Sequence, residues 1–349
     1  MARVACIGGG SWGTTVAMLI AQNANDVVMW CRRDDLADEV NVEHSNERYL
    51  PGIRLPDNLR ATSDISEAMQ GAEVCVMGVP SHGWRDVLKT ITPQLGGVRA
   101  IVSLTKGLEV GTNVRMSEVV AQECPDFPKD HYAILSGPNI AKEIARKMPA
   151  ASAIACADEA VAEWLQGIIH QPYFRVYTNN DVVGCELGGA IKNIVAISAG
   201  MVDTMGFGDN AMAALMTRGL AELTRLGVRL GGDPLTFAGL AGMGDMIVTC
   251  ISKYSRNRRV GKELGKGRQI DDIILEMNMV AEGVKTCRPI LELGRSFDAW
   301  MPITEGVVSV IYEGKTPDEM VTDILSRAPI PETYGIDPSV SPPSDGIDR

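Results

Sequence analysis

The stretch "RVACIGGGSWG", Arg3 to Gly13, constrains this chain more than any other. Four uninterrupted apolar residues, Val4 to Ile7, run straight into glycines. So short and continuous an apolar run reads as a strand buried on both faces, and the segment behind it has the length and composition of a helix. Gly8, Gly10 and Gly13 stand in GxGxxG spacing. Between a strand and a helix that spacing has a mechanical meaning. Glycines let the backbone approach a pyrophosphate, and the helix N-terminus supplies free N–H groups and the positive end of a dipole. Ser11 and Trp12, where the helix opens, would sit against the phosphates or the nicotinamide half of a dinucleotide.

The strand pattern recurs. "DVVMW" (26–30), "EVCVMGV" (73–79), "RAIVSL" (99–104), "YAILS" (132–136), "ASAIAC" (151–156) and "FRVY" (174–177) are strand-like, with helical segments between several of them. Such alternation predicts a parallel sheet covered on both faces. After Asn180 the pattern changes. "ELGGAIKNIVAISAG" (186–200) carries a helical apolar stripe, "NAMAALMTRGLAELTRLG" (210–227) is helical, and Asp233–Pro234 has the form of a helix start. "EGVVSVIYEG" (305–314) is taken as helix too. The expected fold is an α/β Rossmann-type domain over 1–180 and an all-α domain over 181–327. A disordered tail is expected over 328–349, which is rich in Pro, Ser and Asp.

With 33 Lys plus Arg against 44 Asp plus Glu, the net charge is −11. That argues against a general nucleic-acid or anionic-membrane surface, so any anion site must be local. The first residues resemble neither a signal peptide nor a membrane span. Eight cysteines without a CxxC pair, and only four histidines, point to a reducing cytoplasmic protein with no metal site. The end of the second strand selects the cofactor. Where an acid would bind the ribose hydroxyls of NAD, this chain has Arg32 and Arg33. Guanidinium groups suit a 2′-phosphate, which favours NADPH, with NADH as the other admissible cofactor.

Seven stretches in order resemble the bacterial type of NAD(P)-dependent glycerol-3-phosphate dehydrogenase. They are "GGGSWGT" (8–14), "SLTKGLE" (103–109), "SGPNIAKE" (136–143), "ELGGAIKNIVAI" (186–197), "GLAGMGDMIVTC" (239–250), "SRNRRVG" (255–261) and "VAEGVKT" (280–286). The resemblance covers nearly the whole chain, to about residue 325. It implies reversible reduction of dihydroxyacetone phosphate to sn-glycerol 3-phosphate, the backbone precursor of glycerophospholipids. The implied fold is a Rossmann domain followed by a helical substrate domain. One departure stands out: Asn139 and Ile140 replace the usual Ser or Thr and aromatic residue.

The resemblance also assigns residues. Hydride transfer to a ketone builds charge on the carbonyl oxygen, which must be stabilised and protonated. Lys192 is the implied catalytic lysine. Gly188 and Gly189, on the same helix face, are expected to keep space open beside it. Lys106, after a strand, resembles a second active-site lysine that touches substrate and cofactor and favours the neutral, proton-accepting form of Lys192. Asp245 would orient and charge-balance the lysines. Gly137 and Asn139 would meet the substrate, and Ala141 would let the cofactor pass. Val280 and Glu282 resemble residues at the nicotinamide end. Asn193, adjacent to Lys192 in sequence, is a weaker candidate for substrate contact.

The stretch "SKYSRNRRVGK", Ser252 to Lys262, holds five cations and no acid. Ser255 reads as an N-cap, so Arg256, Arg258 and Arg259 crowd a helix first turn, against its dipole. A bound anion removes that conflict. Ser255, Arg256 and Asn257 are therefore the expected grip on a phosphorylated substrate, and the family resemblance implies that Arg256 also lies near the cofactor. At least one remaining arginine is expected to be a solvated charge. The apolar helical half also offers a surface for pairing two copies. Two other readings stay open: a related dehydrogenase acting on a β-hydroxyacid or ketoacid, and an NAD(P)H-binding sensor without turnover.

Overall fold

The structure, a computed structural model, describes residues 1–109, 111–277 and 281–336. The chain forms two compact units, Met1–Val182 and Val183–Arg349.

The first unit is built on eight strands: β1 (Arg3–Ile7), β2 (Asp26–Trp30), β3 (Leu59–Thr62), β4 (Val74–Met77), β5 (Ala100–Ser103), β6 (Tyr132–Ser136), β7 (Ala150–Cys156) and β8 (Phe174–Asn179). Their order in the sheet is β3-β2-β1-β4-β5-β6-β7-β8. Successive strand residues point to opposite faces. Val4 and Cys6 join one core with Val27 and Met29, while Ala5 and Ile7 join another with Val28 and Cys75. Helix α1 (Ser11–Gln22) supplies Val16 to Ile20 to the first core, and helix Ser81–Ile91 supplies Trp84, Leu88 and Ile91 to the second. Burial on both faces is why the strands read as continuous apolar runs.

Two features differ from the sequence reading. β3 was not anticipated: it is a four-residue strand at the sheet edge, and its central Arg60 is exposed beside buried Leu59 and Ala61. The sheet is also not wholly parallel, because β7 runs antiparallel to β6. The connection between those strands holds only the five-residue helix Ala141–Ala145, so no full crossover helix carries the chain back to the starting end. The order reverses around β1, which lies between β2 and β4. Ligands of such sheets bind at the carboxyl ends of the strands beside that reversal.

The second unit is all helix among the described residues. Its central helix, Val182–Thr204, is buried from Gly184 to Val202. It is long and apolar enough to cross a membrane by length and composition, yet 89% of the relevant window is buried inside the protein, as in a core helix. Helix Arg256–Gly265 crosses it backbone to backbone. A Cβ on Gly261 would stand 1.9 Å from Ile197 O, and one on Gly200 would stand 2.1 Å from Arg258 O. This glycine pair fixes the start of helix Arg256–Gly265 against the central helix. Residues 305–312 are helical as expected, within helix Pro302–Tyr312.

Buried Glu222, on helix Asp209–Arg229, caps the start of helix Pro302–Tyr312. It accepts hydrogen bonds from Ile303 N, from Thr304 N at 3.1 Å and from Thr304 Oγ1 at 2.9 Å. Burial pushes its carboxyl up to about 7. Arg225, one turn earlier than Arg229 on the same helix, donates to Tyr334 O at 2.7 Å and Trp300 O at 3.2 Å. Arg218 donates to Glu332 O, and Trp300 meets Tyr334 edge-on. Within the stretch from 328 to Ile336, the carbonyls of Glu332 and Tyr334 thus have partners on helix Asp209–Arg229. Residues 337–349 lie outside the described residues.

Candidate active site

The glycine turn at the end of β1 has two parts. Gly8 has φ +121, a conformation that L side chains rarely adopt, and its Cβ would stand 2.8 Å from Gly78 O. A Cβ on Gly13 would stand 2.1 Å from Gly8 O. These two positions are closed by the protein's own backbone. Gly10 is different: nothing lies within 4 Å of where its Cβ would stand. It is the N-cap of α1 and offers no side-chain cap, and the first backbone bond of the helix runs from Thr14 N to Gly10 O. The N–H groups of Ser11, Trp12 and Gly13 precede it. An open, uncapped helix start with room above the glycine fits a dinucleotide pyrophosphate.

The side chains of Ser11 and Trp12 are turned toward protein. Ser11 Oγ donates to Tyr49 O at 2.7 Å, and the Trp12 ring meets Phe174 edge-on at 6.2 Å. Their contribution at the turn is therefore chiefly through backbone. The loop holding Tyr49 also holds Asn46, which sequence reasoning missed. Asn46 is fully buried and donates to Gly9 O at 3.0 Å and to Thr14 Oγ1 at 2.8 Å. One amide thus locks both sides of the turn.

Arg32 and Arg33 follow β2 as expected, but they are not equivalent. Arg32 is exposed with no ion pair among the described residues. Arg33 lays its fork on Asp35, with Nε to Oδ1 at 2.8 Å and Nη2 to Oδ2 at 2.7 Å. At the ends of β5 and β6 the structure brings two expected residues together: Lys106 Nζ donates to Gly137 O at 3.0 Å. Asn139 Nδ2 donates to Ser152 Oγ at 3.0 Å, while its buried Oδ1 has no hydrogen-bond partner among the described residues. Ala141 opens the next helix and its carbonyl accepts from Thr15 Oγ1 at 3.5 Å, beside the first turn of α1.

In the second unit, Lys192 Nζ donates to Asp245 Oδ1 at 2.5 Å and to Thr249 Oγ1 at 3.0 Å. The ammonium and carboxylate are almost wholly buried, with side chains 7% and 2% exposed. Asp245 follows a π-helical turn, Leu240–Gly244, packed closely by glycines: a Cβ on Gly242 would stand 2.1 Å from Phe237 O. Such turns often mark functional positions. The role expected of Gly188 needs correcting. A Cβ there would stand 2.5 Å from Ala241 O, so this glycine admits the π turn rather than a ligand. Thr249 was missed, although it lies four residues after Asp245 and thus on the same helix face.

Ser255 is the N-cap of helix Arg256–Gly265, its Oγ accepting from Arg258 N at 3.2 Å. Arg256 is exposed at the first helical position. Arg258 and Lys262 are balanced from the central helix by Asp203, at 3.0 and 2.7 Å, while Arg259 is exposed. Asn257 is buried: Nδ2 donates to Asn193 Oδ1 at 2.9 Å, and Oδ1 accepts from Gly283 N at 3.0 Å. It stitches three helices together at the site. Glu282 opens the helix Glu282–Ser296. Val280 lies outside the described residues.

Comparison with known proteins gives one answer. The family models for the N-terminus and C-terminus of NAD-dependent glycerol-3-phosphate dehydrogenase match residues 3–162 and 181–322. The chain is 49% identical over 330 residues to "Glycerol-3-phosphate dehydrogenase [NAD(P)+]" of Streptomyces griseus, covering 95% of this chain and 98% of that one. To the protein of the same name from Thermobifida fusca it is 49% identical over 337 residues, covering 96% and 100%. A solved glycerol-3-phosphate dehydrogenase from Coxiella burnetii superposes with a TM-score of 0.88 at 35% identity, covering 93% of this chain and 99% of that one. This chain belongs to the NAD-dependent glycerol-3-phosphate dehydrogenase family.

Proposed function

We propose that this chain interconverts dihydroxyacetone phosphate and sn-glycerol 3-phosphate and so supplies the glycerophospholipid backbone. The observation that carries the reading is the buried ammonium of Lys192, held by Asp245 and Thr249. A lysine nitrogen in that setting is fixed in position and shielded from water, as a proton donor to a nascent alkoxide should be. NADPH or NADH, bound at the glycine turn, supplies the hydride to the carbonyl carbon. Lys192 gives its proton to the carbonyl oxygen and takes one back in the reverse direction. Asp245 holds Nζ in place and offsets its charge whenever the proton is on the lysine.

The other roles in this proposal follow the same chemistry. Gly8, Gly10, Gly13 and the backbone of Ser11 and Trp12 hold the pyrophosphate, and Arg32 and Arg33 meet the adenosine end. Ala141 and Glu282 serve the nicotinamide end, where Glu282 accepts from the carboxamide. Lys106 contacts cofactor and substrate, and Gly137 and Asn139 contact substrate; the unpartnered Asn139 Oδ1 is an acceptor for a substrate hydroxyl. Ser255, Arg256 and Asn257 grip the phosphate. Eight free, buried cysteines support a cytoplasmic setting, and the exposed apolar side chains of Phe207, Ile247 and Ile251 support pairing into a homodimer.

The test is loss of reduced-nicotinamide absorbance on mixing protein, NADPH and substrate. Oxidation with dihydroxyacetone phosphate but not with free dihydroxyacetone is the expected result. Oxidation with a β-hydroxyacid's keto partner instead would return the reaction to the related dehydrogenases. Cofactor binding without turnover on either substrate would favour the sensor.

A further inference from the structure

An acid, Asp35, stands two residues after the pair of arginines that follows β2 and is hydrogen-bonded to the second of them. We propose that Asp35 sets the balance between NADPH and NADH by occupying Arg33, the cation a 2′-phosphate would otherwise take. The inference rests on the reading of the glycine turn as the dinucleotide site.

The geometry is local and specific. Asp35 lies in the first turn of helix α2 (Asp34–Glu43), and Oδ1 also accepts from Leu36 N at 3.0 Å. The helix start and that bond hold the carboxylate in place. Arg33 meets it with two parallel hydrogen bonds, the most directional pairing an arginine makes. The Arg33 guanidinium, with Arg48 as a lesser influence, holds the Asp35 carboxyl below the usual carboxylate range, so it stays ionised at neutral pH.

Such a pair does little for stability. Asp35 is 70% exposed and Arg33 41%, and water screens exposed pairs of this kind. Its consequence is electrostatic. Of the two guanidiniums at this strand end, one is already matched by a carboxylate. A 2′-phosphate must share Arg33 with Asp35 and meets the repulsion of that carboxylate as well. A 2′-hydroxyl bears no charge and is indifferent to both effects. Asp35 therefore weakens NADPH selectively and leaves NADH competitive, despite two adjacent arginines.

Direct binding tests this without turnover. Adenosine 2′,5′-bisphosphate and 5′-AMP, which differ at the 2′ position, are titrated calorimetrically into the wild type, Asp35→Asn, Arg33→Gln and the double variant. Asn keeps the acceptor for Leu36 N, and the site is exposed, so folding should be preserved. Asp35→Asn should tighten the bisphosphate about fivefold, the equivalent of about 1 kcal/mol, and leave 5′-AMP within about twofold. Adding Arg33→Gln should erase the gain. An unchanged ratio of the two affinities in Asp35→Asn, or a gain that persists without Arg33, overturns the proposal. If neither nucleotide binds the wild type, the reading of the glycine turn falls, and this inference falls with it.

Discussion

Two helix starts in this molecule are suited to anions, and they are built in opposite ways. At α1 the site is almost pure backbone: Gly10 leaves the N-cap open, no side chain closes it, and no cation stands in the first turn. At Arg256 the N-cap is filled by Ser255, one N–H is already used, and the charge comes from side chains. The difference fits what each would hold. A pyrophosphate buried under a turn needs close approach and several N–H donors. A terminal phosphate dianion needs charge and a directional fork. The first site should be sensitive to shape and the second to charge and salt.

The largest effect expected from that contrast is steric. Gly10→Val fills the open ground above the turn and should raise the dissociation constant for NADPH by about 100-fold, the equivalent of about 3 kcal/mol, as read by nucleotide fluorescence. Its Km for dihydroxyacetone phosphate should change little. Next comes Arg256→Ala, which should lower kcat/Km for dihydroxyacetone phosphate by about 10- to 100-fold, the range of one or two charge-assisted bonds. If Arg256 grips the phosphate, that loss should shrink as ionic strength rises, because salt already weakens the wild type. A loss that ignores salt would move Arg256 out of this role. Asn46→Ala removes the amide that locks the glycine turn and leaves Gly9 O without its partner. Stability should fall by about 1–3 kcal/mol, seen as a lower Tm, with weaker NADPH binding and an unchanged Km for the phosphorylated substrate.

The smallest predicted effect lies away from both helix starts and serves as their control. Glu222 titrates at about 7 in the folded chain, above its ordinary value. Its contribution to stability is fully present below the unfolded value, about 4.3, and is lost as pH rises through about 7. Thermal unfolding of wild type and Glu222→Gln should therefore show the wild type losing ground to the variant between pH 5 and 8. Parallel curves would contradict the raised value.

The same contrast explains what the sequence made legible. The glycine turn is written in consecutive residues, and the basic helix start in one stretch of eleven. β1, β2 and β4 to β8 were visible because burial on both faces leaves short apolar runs. β3 was not, since an edge strand of four residues with a central arginine carries too little pattern. The antiparallel turn of β7 depends on what lies between two strands rather than on either strand. Lys192 and Asp245 came from the family resemblance, since no local pattern pairs residues 53 apart. Asn46 is invisible for the same reason: its partners lie 37 and 32 residues away. Arg33 was legible as a cation, but its pairing with the carboxylate two residues on emerged only with the structure. Gly188 was legible as an unusual glycine, while the neighbour that requires it, Ala241, emerged only with the packing.

The central claim is that Lys192 moves the proton. It is tested most directly by Lys192→Ala under single-turnover conditions, with binding of NADPH and dihydroxyacetone phosphate measured on the same preparation. The account predicts retained cofactor binding and hydride transfer slowed by about 1,000-fold, within the range for loss of a positioned acid and its electrostatic stabilisation. Transfer at near wild-type rate from a folded variant would contradict it.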